Sequence, residues 1–278
     1  MRDFYAHSSP MPLDQADGLR RLFAGRRRHL LALAANPHVA FSGVVLDRLA
    51  AVLAGQGREV LVVDAGAASP LPHELAGVDL AACVETIAPR VSYLPARGLP
   101  LSYVDTRGSA AGFIDAALAA APQAEVILMH ADGVDLARLL KHRAVRPLLL
   151  GADHPESIKH AYANAKLLVQ RCGLMSFDLL LAASPQSPRL SGIQASLGSC
   201  IENFMGAVLR SSALVDPACD PAAPADAALV ALLAAQFTPT DPAGPRSLAS
   251  AGPKARGPEP RSADPFFADA NPNRPAYP

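Results

Sequence analysis

The chain predicts an α/β fold on a mainly parallel sheet, and three observations carry this. Short, continuous apolar runs recur, of which Val60–Val63 and Val126–Met129 are the clearest. Between them lie stretches with apolar residues at helical spacing. The runs lack the polar alternation of a sheet with one wet face, so helices must cover both faces. Half of the 278 residues are hydrophobic, enough for a sizeable core, and Trp is absent.

The elements follow in order from His29. Leu30–Ala34 reads as a strand. Val44–Gly55 has Leu46, Leu49, Ala50 and Leu53 on one helical face, with Gly57 as a stop signal. Glu59–Asp64 is a buried strand closed by an acid. Strand, helix and strand in this order predict a right-handed parallel crossover. Val91–Leu94 is a short strand and Ser109–Ala121 an alanine-rich helix. Glu125–His130 is a strand, Val134–His142 a helix and Arg146–Leu150 a strand. Pro155–Cys172 is a helix opened by Asp153 or His154, with proline in its first turn and Gly173 at its end. Phe177–Leu181 is a further strand.

Four regions result: an N-terminal arm over 1–27, the α/β domain over 28–216, a helical region over 217–237, and a tail over 238–278. The tail is rich in Pro, Ala, Gly, Ser and Asp without a periodic apolar face, the composition of a disordered segment. Only Ala227–Phe237 looks helical near the end.

Lys plus Arg and Asp plus Glu number 25 each, so nothing in the balance calls for nucleic acid or an anionic membrane. No apolar run is long enough to span a bilayer. Cys83, Cys172, Cys200 and Cys219 are scattered, with no CxxC pair. Reduced, buried cysteines in a cytoplasmic protein fit this pattern. The histidines match no helix-borne ligand pair such as HExxH, so no metal site is expected. Ser42 beside Gly43 lacks the GxSxG of a nucleophile elbow.

The arm holds the most specific string, Asp14-Gln15-Ala16-Asp17-Gly18-Leu19-Arg20-Arg21-Leu22. Leu19, Leu22 and Phe23 fall at helical spacing, with a basic cluster of Arg20, Arg21 and Arg26 to Arg28 beside them. The string resembles the DQAxxLR signature of the FlhG/FleN flagellar-number regulators, which are MinD/ParA-like proteins. The likeness covers most of residues 12–215. Leu49 to Asp64 is similar to that family's NLAAALAxxGRRVLLLDAD. The resemblance implies a three-layer P-loop NTPase-like fold and regulation of flagellar number or placement. It also implies a partner, the signal-recognition-particle-type GTPase FlhF, bound and stimulated by the N-terminal helix. Carried over by position, Asp14, Gln15, Ala16, Leu19 and Arg20 match the motif. Gln15 would reach the partner's nucleotide site, Leu19 and Leu22 would anchor, and Arg20 would supply a charge contact.

The same comparison implies a degenerate nucleotide site. Counting back from Asp64 without gaps puts Pro37–Gly43 on the family's KGGVGKT loop. Its two lysines fall on Pro37 and Ser42 and its magnesium-binding threonine on Gly43. The first acid of the DAD motif matches Asp64, but the second falls on Gly66. The Walker B acid falls on His130, with Asp132 two residues on as a shifted substitute. The adenine-reading asparagine falls near Ala182. A phosphate loop needs converging backbone N–H groups and a lysine; this one has a single glycine, a proline and no cation. The expectation is a pseudo-ATPase with no cofactor of its own, although ATP and Mg stay open if the altered site is still used. Two other readings stay open: a working MinD-like ATPase that dimerises with ATP, and a scaffold for flagellar or polar proteins. The family's C-terminal amphipathic membrane-targeting helix has its counterpart near Ala227–Phe237, which lacks the Lys and Arg usual on the polar face of a membrane-surface helix. That disfavours membrane docking.

Overall fold

A computed structural model describes residues 28–220 and 223–238. The string at 14–22, with Asp14, Gln15, Ala16, Leu19, Arg20 and Leu22, lies outside them, as does the tail from 239.

Among the described residues eight strands form one sheet: β1 (His29–Ala34), β2 (Val60–Ala65), β3 (Glu85–Ala88), β4 (Val91–Pro95), β5 (Val126–Ala131), β6 (Leu148–Ala152), β7 (Ser176–Ala182) and β8 (Val208–Val215). Their spatial order is β3-β4-β2-β5-β1-β6-β7-β8. Only β3 runs antiparallel, against β4. The helices are α1 (Ser42–Gly55), α2 (Leu99–Ser102), α3 (Ala111–Ala120), α4 (Gly133–Leu139), α5 (Pro155–Cys172), α6 (Leu190–Met205) and α7 (Ala227–Gln236).

Strand periodicity decides which side chains meet which helices. Leu31 and Leu33, Val60 and Val62, and Val126 and Leu128 face one way. On them pack Val45, Leu49 and Leu53 of α1 and Leu229, Leu232 and Leu233 of α7. The intervening residues, Ala32, Leu61, Val63, Ile127 and Met129, face the other layer. There they meet Phe113 and Ile114 of α3, Leu136 of α4, Leu168 of α5 and Ile201 of α6. The result is three layers, helices–sheet–helices. Leu229, Leu232 and Leu233 of α7 are therefore spent on the core, beside α1.

Helix boundaries follow local chemistry. His154, not Asp153, is the α5 cap: its ring accepts from Glu156 N at 3.3 Å, Pro155 follows, and Gly173 ends the helix at φ 67°. The helix expected over Val134–His142 is shorter, because Leu140 already leaves helical geometry and His142 has φ 64°. Four elements carry no clear sequence signal: β3, whose four residues are all exposed, the four-residue α2, α6 and β8.

A buried ion pair ties the β6–β8 edge together. Asp178 of β7 is fully buried and accepts from Arg146 Nε at 2.7 Å, Gln236 Nε2 at 2.7 Å and Ser211 N at 2.9 Å.

Candidate functional site

Parallel sheets bind ligands beyond the carboxyl ends of their strands, where the direction of chain progression switches. Here that switch lies between β5 and β1: the chain leaves β1 toward β2 and leaves β5 toward β6. The ends of β1, β2 and β5 therefore define the place to look.

Asp64 and His130 meet there because β2 and β5 pair in register, Asp64 opposite His130, with both side chains on the α1 face. His130 Nδ1 lies 2.6 Å from Asp64 Oδ1. Ser69 Oγ donates to the same oxygen, and Tyr93 OH donates to Oδ2 at 3.1 Å. Burial works to raise the Asp64 pKa, but the hydrogen bonds from His130, Ser69 and Tyr93 outweigh it and hold the carboxyl below its usual range. His130 is 4% exposed, and its Nε2 has no hydrogen-bond partner among the described residues. This cluster is not a Ser-His-Asp triad. A triad serine lies on the far nitrogen of the imidazole, whereas Ser69 and His130 both lie on Asp64.

Gly66 and His130 are structurally linked. A Cβ at 66 would stand 2.9 Å from His130 Cε1 and 3.3 Å from Ser69 Oγ. The imidazole occupies the room that any side chain at 66 would need. Positions 66 and 130 thus share one space.

The β1–α1 loop is fastened from within. Asn36 is buried, and its Nδ2 donates to Leu150 O at 2.7 Å and Ser157 O at 2.8 Å. Its Oδ1 accepts from His38 N at 3.1 Å, and its carbonyl accepts from Val39 N at 3.0 Å. Ala35 N is taken by Ala131 O, and Ala35 O accepts from Asn164 Nδ2 at 3.0 Å. The N–H groups of residues 35, 38 and 39 are all consumed internally, and Pro37 has none.

A cleft of about 500 Å³ opens beside the first turn of α1. Ser42, Gly43, Asp64 and His130 line it; Pro37 and Ala182 do not. Its other titratable walls are Asp47, Glu85 and Tyr93, with no Lys or Arg among them. Burial raises the Tyr93 phenol well above its ordinary value, helped by the charges of Asp64, Asp47 and Glu85. Asp132 stands apart from this cleft at the N-cap position of α4, without a side-chain cap hydrogen bond, and burial and Asp135 raise its pKa. His38 and His160 rings approach to 5.8 Å. Burial, then His38, lowers the His160 pKa. No group of three or more metal-capable side chains converges among the described residues.

The sequence named Asp64, Gly66 and His130 but missed Ser69, Tyr93, Asn36 and Asn164. Tyr93 arrives through the β2–β4 register and Asn164 from α5, while Ser69 folds back on Asp64 from five residues on. Asn36 alone left a trace, as a polar residue directly after an apolar strand.

One consequence is measurable. An unfolded tyrosine ionises near pH 10, whereas Tyr93 keeps its proton above that. The folded state then binds more protons than the unfolded one, so stability falls as the pH rises past about 10. Absorbance titration should show the other tyrosines ionising first, and Tyr93→Phe should remove the late step and flatten the alkaline loss.

No family model and no curated protein matches the chain. Solved structures do. MinD cell division protein of Aquifex aeolicus is 12% identical, with 68% of this chain and 83% of that chain covered at a TM-score of 0.46. A ParA family ATPase from Chlorobium tepidum TLS is 16% identical, covering 69% and 85% at 0.46. Apo McdA from Cyanthece is 16% identical, covering 68% and 86% at 0.48. At these identities the likeness is one of fold and assigns no residue a role.

Proposed function

We propose that this chain is a MinD/ParA-like pseudo-ATPase of the FlhG/FleN type. It regulates flagellar number or placement by presenting its N-terminal segment to an FlhF-type GTPase. One observation supports the first half of this reading above the others. Where a polyphosphate would need cations, the cleft offers Asp47, Asp64 and Glu85, and the adjoining loop spends the N–H groups of residues 38 and 39 on Asn36. Phosphoryl transfer rests on positioning and electrostatic stabilisation. A site without lysine, with His130 in the Walker B place and no acid at 66, supplies neither.

With the ATP-driven cycle removed, the string at 14–22 is the part of the family's machinery best retained. Gln15 is assigned to the partner's nucleotide site, with Asp14 and Ala16 beside it. Leu19 and Leu22 serve as apolar anchors and Arg20 as a charge contact. A peptide spanning residues 1–28 should accelerate the cognate GTPase at least tenfold, and Gln15→Ala should abolish the effect. An inert wild-type peptide would overturn the reading.

The working-ATPase alternative retains one observation in its favour. The first turn of α1 carries no side-chain cap, and a Cβ at Gly43 would touch nothing within 4 Å, so that helix end is open to the cleft. On that reading ATP with Mg would bind there and drive homodimer formation.

A further inference from the structure

The cleft beside Asp64 does not end at the first turn of α1. A second cavity of about 610 Å³ runs along the outer face of this helix, from Val44 to Ala54. Asp47 and Ile87 line both cavities, so the two join into one trough. Its floor is apolar, with Ala50, Ala51, Ala54 and Val91. Its walls add Asp216 and Asp220 to the carboxylates already described. Arg48 is the one Lys or Arg among the described lining residues, and its Nη2 donates to Pro224 O at 2.8 Å. Asp47, at the junction, accepts no hydrogen bond and forms no ion pair among the described residues, and burial raises its pKa.

We propose that this trough is the docking site of the chain's own N-terminal segment, residues 12–27, which sequesters the arm until a partner competes for it. The regulatory meaning rests on the arm-to-GTPase reading above; the docking itself does not.

Three observations select this occupant. The first is where the segment begins. The Arg28 guanidinium reaches Pro122 O, and the His29 ring stands edge-on to Phe237 at 4.8 Å. Arg58, just past the end of α1, lies 4.2 Å over that same ring. The arm thus departs beside the C-terminal end of α1, at the Ala54 end of the trough. The second is length. Fourteen residues of α1 span about 21 Å, and a helix over 12–27 would span about 24 Å. The third is chemistry. Residues 1–27 hold five arginines against three aspartates, with Leu19, Leu22 and Phe23 at helical spacing. An apolar stripe flanked by arginines suits an apolar floor walled by carboxylates. The C-terminal tail departs from the same neighbourhood, but residues 239–278 carry five cations against four acids and no periodic apolar face.

Docking places one natural cysteine to report on it, since Cys219 is exposed on the trough wall. With the arm running as a helix from Ala54 toward Val44, Asp17 lies about 15 Å from Arg27 and so falls beside Val44. The full chain carrying Asp17→Cys, treated with a short bis-maleimide, should yield an intramolecular 17–219 link in most monomers. Adding Asp47→Lys and Asp216→Lys should cut that yield at least fivefold, with the thermal midpoint of the domain followed as the folding control. Links scattered over Cys83, Cys172 and Cys200, or no link, would overturn the docking. A 17–219 link only between two chains would overturn it in favour of a second copy. A full chain with Ala268→Cys that links to Cys219 more readily than Asp17→Cys would overturn it in favour of the tail.

A paired GTPase assay separates the two readings. Asp47→Lys in the full chain should raise stimulation severalfold, toward that of the free 1–28 peptide. Stimulation by the peptide without the link defeats sequestration alone. The link without stimulation by the peptide defeats the GTPase reading alone.

Discussion

Replacing Asp178 with alanine should destabilise the domain by about 3–5 kcal/mol, the cost of stranding one member of a buried ion pair. The carboxylate is fully buried and joins three elements at once. It accepts from Arg146 before β6, from Ser211 N in β8 and from Gln236 at the end of α7. Its removal leaves the Arg146 side chain, only 11% exposed in the intact domain, without this counterion, and one of its nitrogens, Nη2, already lacks a partner among the described residues. Domains of this kind have about 5–15 kcal/mol of total stability, so the loss takes a large share. Thermal unfolding should show a midpoint lower by about 10 °C or more. Asp178→Asn, which keeps acceptor capacity but not charge, should fall between the two. A midpoint for Asp178→Ala within 2 °C of wild type would contradict this account of the β7–β8 edge.

Asn36→Ala should cost about 3 kcal/mol, the loss of three hydrogen bonds of a buried amide at about 1 kcal/mol each. Leu150 O and Ser157 O lose the Asn36 amide, and His38 N loses its acceptor. The change also separates two explanations of the loop. If the internal staple alone kept phosphate out, loosening it would open an ATP site. The acid-lined cleft predicts otherwise: the variant unfolds at lower urea concentration yet gains no ATP binding. Urea titration with the wild type as reference measures the first half, and ATP titration of the folded variant measures the second.

The central sheet was legible because its strands are buried on both faces and so read as unbroken apolar runs. Val60–Val63 and Val126–Met129 could hardly be anything else. The α5 boundaries were legible because proline and glycine sit at its two ends. The β8 strand was not, because Arg210, Ser211 and Ser212 break its run, and an edge position tolerates them. The α6 helix was obscured by Gly192, Gly198 and its serines; of its sixteen residues only Leu197 and Ile201 are fully buried. The site was legible where sequence neighbours carry it, as at Asp64 and Gly66. Tyr93 joins Asp64 through β2–β4 pairing, and Asn164 reaches Ala35 across 129 residues, which no local pattern encodes.

Equilibrium dialysis of ATP with Mg against the purified full chain tests the central claim most directly. The acid-walled cleft, the turn closed on Asn36 and His130 in the space beside Gly66 predict no binding at micromolar ATP. Micromolar, magnesium-dependent ATP binding would contradict the pseudo-ATPase account and restore the nucleotide-driven dimer in its place.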